Sequence, residues 1–215
     1  MNDLNKSRLI VRYTASQRIN HWIIAITFVL LALSGLALFH PAFFWLSNLF
    51  GGGTWTRILH PFVGVLMFLC FAVFAARMWG NNRMTKQDRQ WLRQIGDVVN
   101  ARDEKLPEVG RYNAGQKVLY FALIIFMIVL LISGVVIWRV YFQDYFSVET
   151  IRLASLLHAL FAFLLICAII VHIYAGIWVK GSVRAMTRGT VSPGWAWKHH
   201  RAWFREVRGK PAVDK

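Results

Sequence analysis

The chain is 215 residues long, 57% hydrophobic, with a mean hydropathy of +0.45 and a net charge of +15. So apolar a composition excludes an ordinary soluble domain, and no nucleic-acid-binding module accompanies the basic surplus. Four apolar runs follow in chain order: Trp22 to Phe39, Pro61 to Trp79, Val118 to Trp138 and Ile151 to Val179. Each is long enough, or nearly so, to cross a hydrocarbon core that needs about 20 helical residues. Backbone groups in lipid must bond within their own segment, so all four are predicted to be helices. The expected fold is an all-α membrane protein, a single domain over residues 1–215 built as a four-transmembrane-helix bundle.

Charge placement orients the bundle. Of 25 Lys and Arg, 22 lie before the first run, in the middle connection from Arg77 to Lys117, or from Lys180 onward. Only Arg57, Arg139 and Arg152 fall in the other two connections. The positive-inside rule then puts both termini, the loop 80–117 and the tail 180–215 in the cytoplasm. The basic surplus is chiefly a topology signal, with anionic lipid headgroups as its natural company. Trp22, Trp79 and Trp178 mark inner boundaries, and Trp45, Trp55 and Trp138 mark outer ones. The first run is too long for a cleavable signal and has no small-residue cleavage site after it. Cys70 and Cys167 are isolated within their spans, so two buried thiols are expected. No CxxCH occurs, which leaves only haem without thioether links.

A short interfacial helix is expected near Asp88 to Asn100, where charges mix with Trp91, Ile95, Val98 and Val99. The tail, with Trp195, Trp197, Lys198, His199, His200, Trp203 and Phe204, reads as a basic aromatic segment on the membrane surface, with His199 and His200 exposed, and the middle loop and the tail read equally as docking surfaces.

Four histidines carry the chemistry: His21, His60, His158 and His172. The last two are 14 residues apart on one segment, so a helix places them roughly 21 Å apart on nearly the same face. By topology His21 and His172 lie at the inner level, and His60 and His158 at the outer level. Those are the only level-matched pairs, and they require the first, second and fourth helices to pack together around internal sites. One turn after each histidine stands a small residue (Ala25, Gly64, Ala162, Gly176), with Gly35 at the outer level, leaving room for a flat macrocycle. Two imidazoles saturate the axial positions of a haem but undersupply zinc, and the apolar runs hold no Asp or Glu to complete a zinc site. Two haems b, each between two histidines and suited to electron transfer, are therefore expected. His40, before Pro41 at the outer end of the first helix, is a spare.

The segments Arg18-Ile19-Asn20-His21-Trp22, Arg57-Ile58-Leu59-His60-Pro61-Phe62 and Gly110-Arg111-Tyr112-Asn113-Ala114-Gly115-Gln116-Lys117 resemble the cytochrome b (gamma) subunit of respiratory formate dehydrogenase. Ser133-Gly134-Val135, Ile137-Trp138-Arg139, His172-Ile173-Tyr174, Trp178-Val179-Lys180-Gly181 and Lys198-His199-His200 extend the resemblance from about Ile10 to Arg208. The family carries proline where Val140 stands, a difference expected to touch a turn and not the chemistry. The resemblance implies a haem b at His60 and His158 near the periplasm and another at His21 and His172 near the cytoplasm. It implies an iron–sulfur beta subunit delivering electrons from a molybdenum- or tungsten-containing alpha subunit that oxidises formate. It also implies reduction of a quinone (menaquinone or ubiquinone) beside the inner haem, at Asn113, Gly115 and Gln116, in the bacterial inner membrane. The chain itself would hold no formate-oxidising site. Without the resemblance, Asn113 reads simply as a helix N-cap. Arg57, Arg77, Arg139 and Arg152 are candidate partners for haem propionates, though arginines at helix ends snorkel routinely. The cytochrome b subunit of a nickel–iron hydrogenase or another periplasmic dehydrogenase is the alternative partnership, and a small membrane transporter a remote one.

Overall fold

The computed structural model describes residues 9–100, 102 and 106–208. Lys6, Arg8, Lys105, Lys210 and Lys215 of the charge count lie outside the described residues. The order is β1 (Ile10–Val11), α1 (Ala15–Phe39), a 3-10 stretch (Pro41–Phe50), α2 (Gly53–Met78), a 3-10 turn (Trp79–Asn82), α3 (Lys86–Arg93), α4 (Ile95–Val99) and α5 (Ala114–Ile137). There follow α6 (Arg139–Phe142), a 3-10 turn (Gln143–Tyr145), α7 (Val148–Trp178), α8 (Ser182–Arg188), β2 (Thr190–Val191), α9 (Pro193–His199) and α10 (Arg201–Val207). Four helices are long and apolar enough to cross a membrane: Ala15–Phe39, Gly53–Asn82, Ala114–Ile137 and Val148–Trp178. Each starts upstream of its apolar run, because helical hydrogen bonding continues past the point where side chains become polar. Pro61, which reads as a helix start, instead lies inside α2. It leaves only the Arg57 carbonyl without its amide partner, a loss that helices in membranes tolerate.

The chain forms two compact units. One is the bundle, Ile19–Ala76 with Ala122–Tyr174. Its core joins Met67 and Phe71 of α2 to Met127 of α5 and Leu165 of α7, with Ile24, Phe28 and Leu31 of α1 packed against them. Methionine suits such a seam because its flexible thioether fills irregular gaps. Asn20 Nδ2 donates to the Cys70 carbonyl at 3.1 Å, tying α1 to α2 beside His21. Cys70 and Cys167 are half-buried free thiols.

The other unit gathers the described residues up to Arg18, those within Arg77–Phe121 and those from Ala175 onward. Here β1 pairs antiparallel with β2, Ile10 opposite Val191. Ile10, Ala185, Val191, Ala196 and Trp203 form a core, flanked by Tyr13, Trp195 and Phe204. The aromatic tail is thus a folded piece of this unit, because its rings find an apolar core that periodicity over so short a segment does not reveal. Gly189 turns the chain into β2 at φ +79°, and its carbonyl accepts from the amides of Arg12 (2.8 Å) and Tyr13 (3.1 Å). A Cβ there would stand 2.7 Å from the Tyr13 carbonyl, so only glycine fits.

The expected helix at 88–100 is two short helices that meet at Gln94. Thr85 and Asp88 form a reciprocal capping box on α3. Asp88 then reaches Lys117 Nζ at 2.7 Å in an ion pair whose side chains are each only 8% exposed. Trp91 is buried against Gly115 and is not an interfacial anchor.

Arg12, one of the topology charges, is buried among four aromatic rings: Tyr13, Tyr112, Trp195 and Trp203, at 4.4–5.6 Å. It donates to the Arg111 carbonyl, and Arg111 Nη2 donates back to the Arg12 carbonyl at 2.6 Å. His200, expected at the surface, is 3% exposed and its Nδ1 lies 2.8 Å from the Gly110 carbonyl. A carbonyl only accepts, so Nδ1 carries the proton. Burial, with the Arg12 charge adding to it, pulls the His200 pKa down from 6.5 to about 3. The folded value is depressed, so this stability is fully present above the unfolded pKa and lost as pH falls from about 6.5 towards 3. The expected loss is about 1.4 kcal/mol per pH unit in that window. Thermal unfolding in detergent between pH 7 and 4.5 checks it, and His200→Gln should flatten the dependence.

Candidate functional site

Within the bundle, α7 carries two histidines that meet partners from two different helices. His60 of α2 faces His158, ring centroids 6.3 Å apart and planes at 65°. His21 of α1 faces His172, centroids 6.4 Å apart and planes at 50°. His21, His60 and His158 are half-buried, and His172 is exposed. His21 also packs against Trp22 and Phe74. His40 joins neither pair; its Nδ1 accepts from the Ala42 amide and caps the following 3-10 stretch.

Both pairs fit a bound iron. An imidazole nitrogen binds a first-row metal at about 2.0–2.1 Å and lies about 1.1 Å from its ring centre, so two rings on opposite sides of one iron are centred roughly 6.2–6.4 Å apart. Among the described residues no group of three or more His, Cys, Asp or Glu converges as a metal site. The buried Nδ1 of His21 has no hydrogen-bond partner among the described atoms. At the outer pair, Nδ1 of His60 lies 2.7 Å from Ser34 Oγ, and Nδ1 of His158 lies 3.0 Å from Ser133 Oγ. A small apolar cavity of about 100 Å³ opens beside His60 and Ser34, walled by Leu30, Phe50, Leu59 and Val63.

The small residues sort differently from their spacing. A Cβ on Gly64 would meet Leu31 at 3.9 Å, and one on Gly176 would meet nothing within 4 Å. It is Gly35 and Gly134 that pack on the histidines, each with a hypothetical Cβ 3.4 Å from the Cε1 of His60 or His158. Ser34, Ser133 and Gly134 are the residues that histidine spacing missed. Their signal was the repeated Ser-Gly step.

In the other unit, Asn113 Oδ1 accepts from the Gln116 amide at 2.8 Å, and Gln116 Oε1 accepts from the Asn113 amide at 3.0 Å. This reciprocal cap starts α5 and engages both side-chain oxygens, which leaves the two amide NH2 groups as donors. Gly115 sits between them, half-buried, backed by Trp91. Tyr112, just before the cap, donates to Met78 Sδ at 3.2 Å, and burial pushes its phenol above the ordinary tyrosine range.

Among the candidate arginines, Arg77 donates to Ser16 Oγ at 2.9 Å. Arg139 and Arg152 line one cavity of about 450 Å³ with Asp144, Phe146, Val148 and Ile151.

Apolar helices carrying paired histidines define a membrane-embedded cytochrome b, and residues 12–189 match the prokaryotic cytochrome b561 family. The chain belongs to that family: it is an integral membrane protein of a class that binds haem b. It is 50% identical over 199 residues, 93% of each chain, to the formate dehydrogenase cytochrome b556(fdo) subunit of Escherichia coli K12. Identity is 42% over 204 residues (95% of this chain, 94% of the relative) to the cytochrome b556(Fdn) subunit of the nitrate-inducible formate dehydrogenase of that strain. The formate dehydrogenase cytochrome b556 subunit of Haemophilus influenzae is 39% identical over 204 residues, 95% of this chain and 86% of the relative.

Proposed function

We propose that this chain is the di-haem cytochrome b subunit of a formate dehydrogenase complex, lying in the bacterial inner membrane with both termini on the cytoplasmic side. The observation that carries it is the meeting of His60 with His158 and of His21 with His172 at the spacing of two imidazoles about one iron. In this reading His60 and His158 hold the outer haem b, and His21 and His172 the inner one. The two haems, when bound, supply one-electron transfer from a periplasmic iron–sulfur partner to a quinone at the cytoplasmic side. With two histidines for each haem, these residues would leave no open iron position and would keep electron transfer apart from other chemistry.

Asn113, Gly115 and Gln116 are assigned to the quinone. The two amide NH2 groups and the Gly115 N–H offer donors to a carbonyl oxygen, and the cap holds the side chains in place. Arg139 and Arg152, facing one cavity, are the arginines best placed to meet an acidic group such as a propionate. Formate would be oxidised on a separate molybdenum- or tungsten-containing subunit. The relatives named above are formate dehydrogenase subunits, which favours that partnership over a hydrogenase. A transporter would want carboxylates within the apolar runs, and they contain none.

Haem content and the dithionite-reduced spectrum of the purified protein test this. Wild type should carry two b-type haems, and His60→Ala and His172→Ala should each lose one. A colourless wild type, expressed with haem available, would refute the assignment.

A further inference from the structure

Ser34 of α1 and Ser133 of α5 are both buried, 3% and 4% exposed. Their hydroxyls make two kinds of short contact each. Ser34 Oγ lies 2.7 Å from the Leu30 carbonyl and 2.7 Å from His60 Nδ1. Ser133 Oγ lies 2.6 Å from the Val129 carbonyl and 3.0 Å from His158 Nδ1. A hydroxyl has one proton to give, and a carbonyl can only accept. If Nδ1 were bare, one of the two contacts at each serine would set acceptor against acceptor at hydrogen-bond distance. Both contacts are satisfied when the serine donates to its own helix and the histidine Nδ1–H donates to the serine. That arrangement leaves Nε2 as the nitrogen with a free lone pair.

The next residue completes the arrangement. Gly35 and Gly134 leave room for the imidazole edge, since a Cβ on either would already stand 3.4 Å from Cε1. The same Ser-Gly step therefore serves His60 from α1 and His158 from α5, two helices that supply no outer histidine of their own. At the inner pair nothing equivalent is described: Nδ1 of His21 is buried with no hydrogen-bond partner among the described atoms.

Resting on the ligand assignment above, we propose that Ser34 and Ser133 are positioning residues for the outer haem. Each fixes its histidine in the Nδ1–H tautomer with Nε2 turned to the metal, and the pair makes the two haem sites electronically unequal. Accepting a hydrogen bond from a ligand imidazole makes that ligand more basic and favours the oxidised metal. The serines therefore lower the potential of the outer haem and leave the inner one alone.

The test is a redox titration of the purified holoprotein, followed optically and by electron paramagnetic resonance, on wild type, Ser34→Ala, Ser133→Ala and Ser34→Thr. The expected result is a higher midpoint potential for one haem only, a tenfold change in its oxidised-to-reduced ratio reading as about 59 mV. The low-spin ferric signal of that haem shifts with it, and the second haem keeps both its values. Selective loss of that one haem, through about tenfold weaker retention, supports the same assignment. Threonine keeps a hydroxyl that can bond the preceding turn, so Ser34→Thr should return the wild-type potential. Two haems in wild type with unmoved potentials and signals in both alanine variants overturn the inference and leave the ligand assignment standing. Equal disturbance of both haems overturns it too, as the mark of a merely structural role. A wild type without haem removes the ligand assignment and this inference together.

Discussion

Replacing His60 or His158 by alanine is expected to remove the same one of two haems, and replacing both should remove no more. The two rings face each other at 6.3 Å, so on the proposed assignment they would share one iron, and either loss would leave a single imidazole to hold it. Residues that act as a unit are non-additive in this way. His21 and His172 should behave alike for the other haem, their rings 6.4 Å apart. A crossed double variant, His60→Ala with His172→Ala, takes one ligand from each pair and should yield protein with no haem. The six double variants and a haem-to-protein ratio decide it: ratios of one for the two matched pairs and zero for the four crossed ones. Matched singles that remove spectrally different haems would break the pairing.

Lys117→Met is expected to destabilise the protein by about 3–5 kcal/mol, because it strands the buried Asp88 carboxylate without its cation. Asp88→Ala should cost at least as much, since it also dismantles the capping box with Thr85 and leaves Lys117 only the Arg83 carbonyl, at 3.0 Å. The double variant Asp88→Leu with Lys117→Met removes both charges, and its cost should fall well short of the sum of the single losses. Burial works against the Asp88 charge, yet hydrogen bonds from Lys117 and Thr85 prevail and hold its carboxyl below the usual range. A depressed folded value means the contribution is present above the ordinary carboxylate pKa and lost as pH falls through the folded one. Melting curves in detergent, at neutral pH and below pH 4, read both effects. Since Lys117 follows the Asn113–Gln116 cap by a single residue, on the proposed quinone assignment quinone reduction should fall in these variants while haem content stays at the wild-type value.

The four spans were legible because lipid leaves the backbone no other option, and the histidine pairs because each imidazole in an apolar run needs a partner at its own depth. Where the helices begin was not legible: hydrogen bonding carries α1 upstream past Arg18 to Ala15 and carries α2 through Pro61. The second unit was hidden for a different reason. Its contacts join residues such as Ile10 and Val191, or Arg12 and Arg111, that share no local pattern. Arg12 counted as a topology charge and proved to be a caged cation; His200 read as a surface residue and proved to be buried. Ser34 and Ser133 were visible only as a repeated dipeptide, since a serine's value depends on which imidazole stands across from it.

The pairing of Ile10 with Val191 also sets an order of biogenesis. At 5–20 residues per second, roughly 10–40 s of synthesis separates the two strands. All four apolar helices leave the ribosome in that interval, so β1 waits unpaired until insertion is nearly finished. Closing the strand pair is a late event, and a chain stopped before Thr190 never reaches it. An exposed Ile10 thus labels molecules in which β2 has not yet emerged, and its burial labels those in which the strands have paired.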